Sequence, residues 1–223
     1  HALIQLATNN GYPTCTSIEK LPQSGSNRLY FRLLFKNIPS IIGVYNDNVK
    51  ENEAFFYFTR FFTSKKINVP KLFSIDVTQQ YYLLEDLGDD SLFSMLSNTR
   101  TEKDIPDEVL KLYRQVIQQL PLLQLSGKEG MDFSICYPRD AFDRQSMQWD
   151  LNYFKYYFLK LVYIPFDEQQ LEDDFQQLID YLSQPDSDYF LFRDFQSRNI
   201  MIREEKVYFI DYQGGRKGAL HYD

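Results

Sequence analysis

Two periodicities of apolar and polar positions run along this chain, and the switch between them divides it. Residues 28 to 35 (RLYFRLLF) and 40 to 46 (SIIGVYN) are short β-rich runs; the intervening KNIPS supplies the Asn and Pro of a turn, so the pair predicts an antiparallel hairpin. From 49 to 66 apolar residues return at helical spacing, with Phe55, Phe56, Phe58, Phe61 and Phe62 in one segment that closes on Lys65 and Lys66, cations suited to a helix C-terminus. Residues 68 to 76 (NVPKLFSID) and 79 to 88 (QQYYLLEDLG) then read as two further strands, with Pro70 near the start and Gly88 at the exit.

After Gly88 the pattern turns helical: 90 to 97, 106 to 124 with Pro106 in its first turn, 147 to 163, and 167 to 183 with Pro185 beyond it. YFLFRD, NIMIRE and KVYFIDY close the chain as short apolar strands around a hairpin tip at REEK. The expected fold is α+β and bilobal, with a small antiparallel sheet lobe over residues 1–87, a larger helical lobe over 88–223, and a ligand cleft between them.

Composition narrows the partners. With 43% hydrophobic and 25% charged residues among 223, the chain is of the ordinary globular class. A net charge of −7 argues against nucleic acid or an anionic membrane, both of which reward clustered Lys and Arg, and leaves a small molecule as the expected partner. Cys15 and Cys136 are far apart and outside any C-x-x-C or His-rich pattern, so neither a disulfide framework nor a zinc site is indicated and a reducing cytoplasm is expected. No apolar run approaches the roughly 18 residues of a membrane span, and no basic leader opens the chain.

The chemistry concentrates in FRDFQSRNIMIREEKVYFIDYQ, residues 192 to 213. Asp194, Asn199 five positions on, and Asp211 at the end of an apolar run fit, singly, two turn formers and a loop cap. Their order, their separations and the flanking strands point further: folding the hairpin back brings Asn199 and Asp211 together beside Asp194. Phosphoryl transfer from a nucleotide needs such oxygen donors for charge neutralisation and for orienting an acceptor hydroxyl, more than it needs covalent chemistry.

FRDFQSRN followed by FIDYQ resembles the catalytic and metal-binding segments of the aminoglycoside phosphotransferase and choline kinase superfamily, distant relatives of protein kinases. LLEDLGDDSL and the closing FIDYQGGRKGALHYD most resemble the branch holding the anomeric kinases of N-acetylmuramate and N-acetylglucosamine. The resemblance implies an ATP-dependent phosphotransferase acting on a hydroxyl of a sugar or amino sugar, with another small acceptor or a nucleotide-binding pseudokinase as alternatives. It implies Asp194 as catalytic base with Arg193 and Arg198 beside it, Asn199 and Asp211 as Mg²⁺ ligands, and Glu85, Asp86 and Leu87 as a hinge whose backbone meets adenine. Ser24, Gly25 and Ser26 occupy the place of a phosphate loop, with small residues that let backbone amides approach an anion.

Departures from the family pattern sharpen the picture. Phe192 stands where the family commonly has His, and the second strand offers Gly43, Val44 and Tyr45 where many relatives carry a phosphate-contacting Lys; the sugar-kinase branch also tends to lack it. Lys50, Arg28 or Arg32 remain as substitute cations, with Glu53, or else Glu51, as the helical acid to pair with one. Asp86, Asp89 and Asp90 read as a helix cap and solvent charges. Arg198 fits a phosphate or acidic-sugar contact, or equally an ion pair within its loop. For the acceptor, Asp150, Tyr153 and Tyr157 share a helix face, and Arg216 lies in a Gly-rich, irregular loop; aromatic residues at that spacing also suit a core. Because relatives continue through more C-terminal helices, a lobe truncated at its C-terminus and a fused C-terminal domain in the full-length protein are expected.

Overall fold

A computed structural model describes residues 1–22, 27–99 and 104–223. The chain opens with helix α1 (Ala2–Asn9) and strand β1 (Cys15–Lys20), then β2 (Leu29–Phe35), β3 (Ile41–Tyr45), helix α2 (Val49–Ser64), β4 (Leu72–Ile75) and β5 (Tyr81–Glu85). The five strands form one antiparallel sheet in the order β1-β2-β3-β5-β4. The expected hairpin is present, in the register Tyr30 to Val44 and Arg32 to Ile42.

Period-two alternation gives this sheet two working faces. On the outer face Leu33, Ile41 and Leu83 pack against Leu3 and Ala7 of α1. Gly43 permits that approach: a Cβ there would stand 2.9 Å from a Leu33 methyl and 3.0 Å from a Leu3 methyl. On the inner face Ile42, Val44, Tyr82 and Leu84 meet α2 and belong to the core that runs into the helical lobe. Helix α2 starts where the Asn48 side chain accepts from the Glu51 amide (3.3 Å), and its buried positions Asn52, Phe55, Phe56, Thr59 and Phe62 recur at helical spacing.

The second lobe comprises α3 (Leu92–Thr99), α4 (Asp107–Leu125), α5 (Arg144–Phe154) and α6 (Glu168–Leu182), then β6 (Tyr189–Leu191), β7 (Ile200–Arg203), β8 (Lys206–Phe209) and β9 (Arg216–Gly218). Strands β7 and β8 form a hairpin; β6 pairs with β9. The architecture is the mixed, bilobal one expected. Helix α1 and strand β1 were not expected, and three further elements differ from the sequence reading. Helix α5 starts earlier, capped by Asp143, and passes into a π-helical turn at Lys155–Leu159. The Gly-rich segment after Asp211 is not an irregular loop throughout, since β9 lies within it. Ser91, not an Asp, caps α3, its hydroxyl accepting from the Ser94 amide at 3.1 Å. Among the described residues no helix is long and apolar enough to cross a membrane.

Candidate active site

β6 delivers the chain into the candidate catalytic loop. Phe190, Leu191 and Phe192 are fully buried, and the Phe192 ring meets those of Phe195, Phe209 and Tyr212 edge-on. Phe192 therefore anchors the loop by packing. The chain then turns sharply: Arg193 adopts φ +78°, the left-handed region. Asp223 fixes this turn, its two carboxylate oxygens accepting from the Phe192 amide at 2.8 Å and the Arg193 amide at 2.9 Å. Burial raises the Asp223 carboxyl pKa and those two amides oppose the rise. No role for Asp223 was legible in the sequence.

Asp194 follows, exposed, and Asn199 reaches back from a short 3₁₀ turn so that its amide nitrogen donates to the Asp194 carbonyl at 2.9 Å. The β7–β8 hairpin turns at Glu204 and Glu205, both at positive φ, and returns the chain so that the Ile210 amide donates to the Asn199 carbonyl at 3.0 Å. The Asn199 nitrogen then lies 3.4 Å from one Asp211 carboxylate oxygen, while Gln213 donates to the other at 2.7 Å. Asp194, Asn199 and Asp211 thus come together as the hairpin argument requires. The Asp211 side chain opens to solvent, yet the protein crowds it closely enough that lost hydration raises its pKa; Gln213 and the Arg28 charge oppose this, and Asp194 adds to it.

Across the cleft, Arg28 at the foot of β2 is buried, with its guanidinium 3.3 Å from Glu51 and over the Phe55 ring. The helical acid against an arginine is therefore Glu51; Glu53 is exposed, because the inward face of α2 runs through 52, 55 and 59. Asn46 donates to Glu51 at 2.9 Å and to Asn52 at 3.0 Å, fixing the carboxylate. Lys50 is exposed. Arg32 is engaged at the hinge, where it donates to Asp86 at 2.7 Å and to Asp89 at 2.8 Å, so these two acids are ion-pair partners and not a cap or free solvent charges. Burial alone would raise the Asp86 carboxyl; Arg32, the Ser40 hydroxyl and the Gly88 amide outweigh it and hold the pKa below the ordinary value.

Of the hinge residues, Asp86 and Leu87 line a cleft of about 530 Å³ together with Arg32, Ser40 and Ile202, while Glu85 ends β5 just before them. Arg203, from β7, donates to the Glu85 carboxylate at 2.8 Å and to the Asp86 carbonyl at 3.3 Å, tying the helical lobe to this segment. Ser24, Gly25 and Ser26 lie outside the described residues.

On the side expected to face an acceptor, Asp150 of α5 receives Arg193 at 3.1 Å, which sets the α5 face beside the candidate catalytic loop. Tyr153 and Tyr157 continue that face as a stacked pair, ring centroids 4.5 Å apart, both exposed and not core. Two expectations need correcting. Arg216 is 1% exposed and donates to the Gly214 carbonyl at 3.0 Å, so it supports the loop and cannot meet a substrate. Arg198 makes no ion pair within its loop; its guanidinium lies over the Phe93 ring at 4.5 Å.

The donor chemistry fits Mg²⁺. Among the described residues no three His, Cys, Asp or Glu side chains converge as a cage, and Mg²⁺ is ordinarily held by one or two carboxylates together with phosphates and waters. The two side chains that would hold the ion, Asn199 and Asp211, lie against each other, with the Asn199 amide nitrogen 3.4 Å from one Asp211 carboxylate oxygen.

No protein-family profile matches the chain. It is similar to the N-acetylmuramate/N-acetylglucosamine kinase of Neisseria meningitidis serogroup B (strain ATCC BAA-335 / MC58), 24% identical over 163 residues, which are 70% of this chain and 45% of that relative. The chain thus spans under half the length of that relative. Among solved structures it resembles APH(2″)-IIa bound to gentamicin (TM-score 0.65, 14% identity, 98% of this chain and 71% of the other). It also resembles a thermostable mutant of aminoglycoside phosphotransferase APH(4)-Ia in a ternary complex with ADP and hygromycin B (0.63, 12%, 100% and 74%) and the Plasmodium vivax ethanolamine kinase (0.58, 15%, 93% and 59%). The fold is that of these small-molecule kinases, and the resemblance read from the motifs stands.

Proposed function

We propose that this chain is the catalytic part of a cytoplasmic kinase that transfers the γ-phosphoryl group of ATP to a hydroxyl of a sugar or amino sugar. The observation that carries the reading is the convergence of Asp194, Asn199 and Asp211 around the β7–β8 hairpin. In this reading the backbone of Glu85 and Leu87 meets the base. Asp194, exposed at the turn that Asp223 fixes, orients the acceptor hydroxyl and takes its proton as the oxygen attacks. Asn199 and Asp211 would hold Mg²⁺, which when bound neutralises phosphate charge. Arg193, locked to Asp150, keeps the loop and the acceptor wall in a fixed relation, so the hydroxyl meets Asp194 in a productive orientation.

The sugar preference rests on the Tyr153–Tyr157 stack beside Asp150, an aromatic surface for a sugar ring with a carboxylate near it for a hydroxyl or amine, and on the name of the N. meningitidis relative. The test is ADP release and product mass with Mg²⁺·ATP and a panel of hexosamines, hexoses, aminoglycosides, ethanolamine and choline, for the wild type and Asp211→Asn. Turnover of hexosamines or hexoses that D211N abolishes is the expected result. Turnover undiminished in D211N would reject the site; turnover confined to the amino alcohols would reject the sugar.

A further inference from the structure

We propose that Arg198, supported by the Phe93 ring, binds an oxyanion of the ligand at this site: a carboxylate on the acceptor or a phosphate of the nucleotide. The inference rests on the kinase reading above and assigns both a residue and a ligand charge within that site. Arg198 lies in the loop between Asp194 and Asn199, inside the 3₁₀ turn Ser197–Asn199. Backbone hydrogen bonds keep this loop tight: the Gln196 amide donates to the Asp194 carbonyl and the Asn199 amide to the Gln196 carbonyl, each at 2.8 Å. Asp194 and Arg198 are both exposed. The cation therefore opens to solvent next to Asn199 and within the same short loop as the carboxylate that meets the acceptor hydroxyl in the proposed mechanism.

The guanidinium has a platform but no acid. It lies over the Phe93 ring at 4.5 Å, and among the described residues no carboxylate pairs with it. Phe93 belongs to α3, which is fastened to β7 where the Ile202 amide donates to the Asp90 carbonyl at 2.7 Å and where Ser91 bridges to Met201. Since β7 continues directly from Asn199, ring and loop are held in one relation. A guanidinium carries its five N–H donors around its rim, so a ring can support its face while the rim meets two oxygens of a carboxylate or phosphate. Other arginines around the site are committed elsewhere: Arg32 to Asp86 and Asp89, Arg193 to Asp150, Arg203 to Glu85, and the buried Arg216 to the Gly214 carbonyl. The carboxylates gathered here, Asp194, Asp211 and Asp223, would repel an anionic ligand unless a cation offsets them. Arg198 is placed to do so.

The experiment measures affinities by calorimetry for two matched pairs, Mg²⁺·ATP against adenosine and the 3-O-lactyl ether of N-acetylglucosamine, which carries a carboxylate, against N-acetylglucosamine itself. Wild type, Arg198→Met and Arg198→Lys are compared. Loss of one charge-assisted contact predicts that in R198M the ratio of charged to uncharged affinity falls about 10- to 100-fold within one pair, and by less in R198K, which keeps the charge without the planar fork. A fall in the nucleotide pair identifies a phosphate as the oxyanion, and a fall in the sugar pair identifies the acceptor carboxylate; either supports the inference. Ratios unchanged in both pairs would overturn it, as would an equal loss for both members of a pair, which marks a structural role. Should wild type bind neither sugar, the nucleotide ratio decides alone. A wild type that binds nucleotide while neither ratio responds to substitution overturns the Arg198 assignment only, whereas one that binds neither ATP nor adenosine removes the kinase reading and this inference with it.

Discussion

Arg193 holds a backbone conformation that costs an ordinary side chain about 1–3 kcal/mol, and the Asp223 carboxylate offsets that cost with two charge-assisted hydrogen bonds. Asp223→Asn leaves one acceptor oxygen for two amides. Its expected effect is a fall in kcat of about tenfold with the KM for ATP unchanged, measured by steady-state kinetics, because the loop that carries Asp194 loosens while the hinge does not. In the proposed mechanism Asp194→Asn removes the proton acceptor, and kcat is expected to fall about 10²- to 10⁴-fold. Asp211 couples folding to pH. Its pKa is raised in the folded state, so folding favours its protonated form: without metal, this group makes the fold progressively less stable as pH climbs from the unfolded carboxylate pKa through the raised folded value. Thermal melts at pH 7 without Mg²⁺ should therefore show Asp211→Asn more stable than wild type, and only the wild type should gain from added Mg²⁺·ATP. A variant melting lower than wild type would contradict this.

At the scale of elements, helix α2 and the segment after Asp211 are one packed unit. Tyr212 stacks on Phe55 with centroids 5.3 Å apart, its ring edge meets Phe62, and its hydroxyl lies 2.7 Å from that of Thr59, all in a fully buried setting. Tyr212→Phe leaves the Thr59 hydroxyl without this partner and is expected to cost about 1–3 kcal/mol in denaturant unfolding, whereas Phe58→Ala should cost about 3–5 kcal/mol through cavity formation. These elements were the legible ones. The β2–β3 hairpin, α2 and the β7–β8 hairpin bury one face, so burial writes their period into the sequence. Strand β1 does not: it is an edge strand exposed from Thr16 to Lys20 with no apolar alternation, and its pairing to β2 supplies what its side chains do not signal. Helix α1 is short and buries only Leu3 and Ala7; β9 is three residues long and contains Gly218, where a Cβ would run into Leu191. The Asn199–Asp211 pair was legible because the length and turn of the hairpin bring those two positions together. The choice of Glu51 over Glu53, the part played by Asp223 and the burial of Arg216 were not, since each depends on which side of an element meets another part of the chain.

For the molecule as a whole, a ligand bridging the two lobes should stabilise both together. Mg²⁺·ATP at one hundred times its dissociation constant is expected to add about 2.7 kcal/mol to unfolding, read as a single shifted transition in calorimetry; a shift confined to one of two transitions would contradict the single continuous core that runs from Val44 and Phe55 to Phe190 and Phe209. The hinge at Glu85–Leu87 has a consequence at this same scale. Arg32 grips it from the sheet and Arg203 from the helical lobe, on adjacent residues. A joint fastened from both ends flexes little, so in the kinase reading the jaws are expected to close little further when nucleotide arrives.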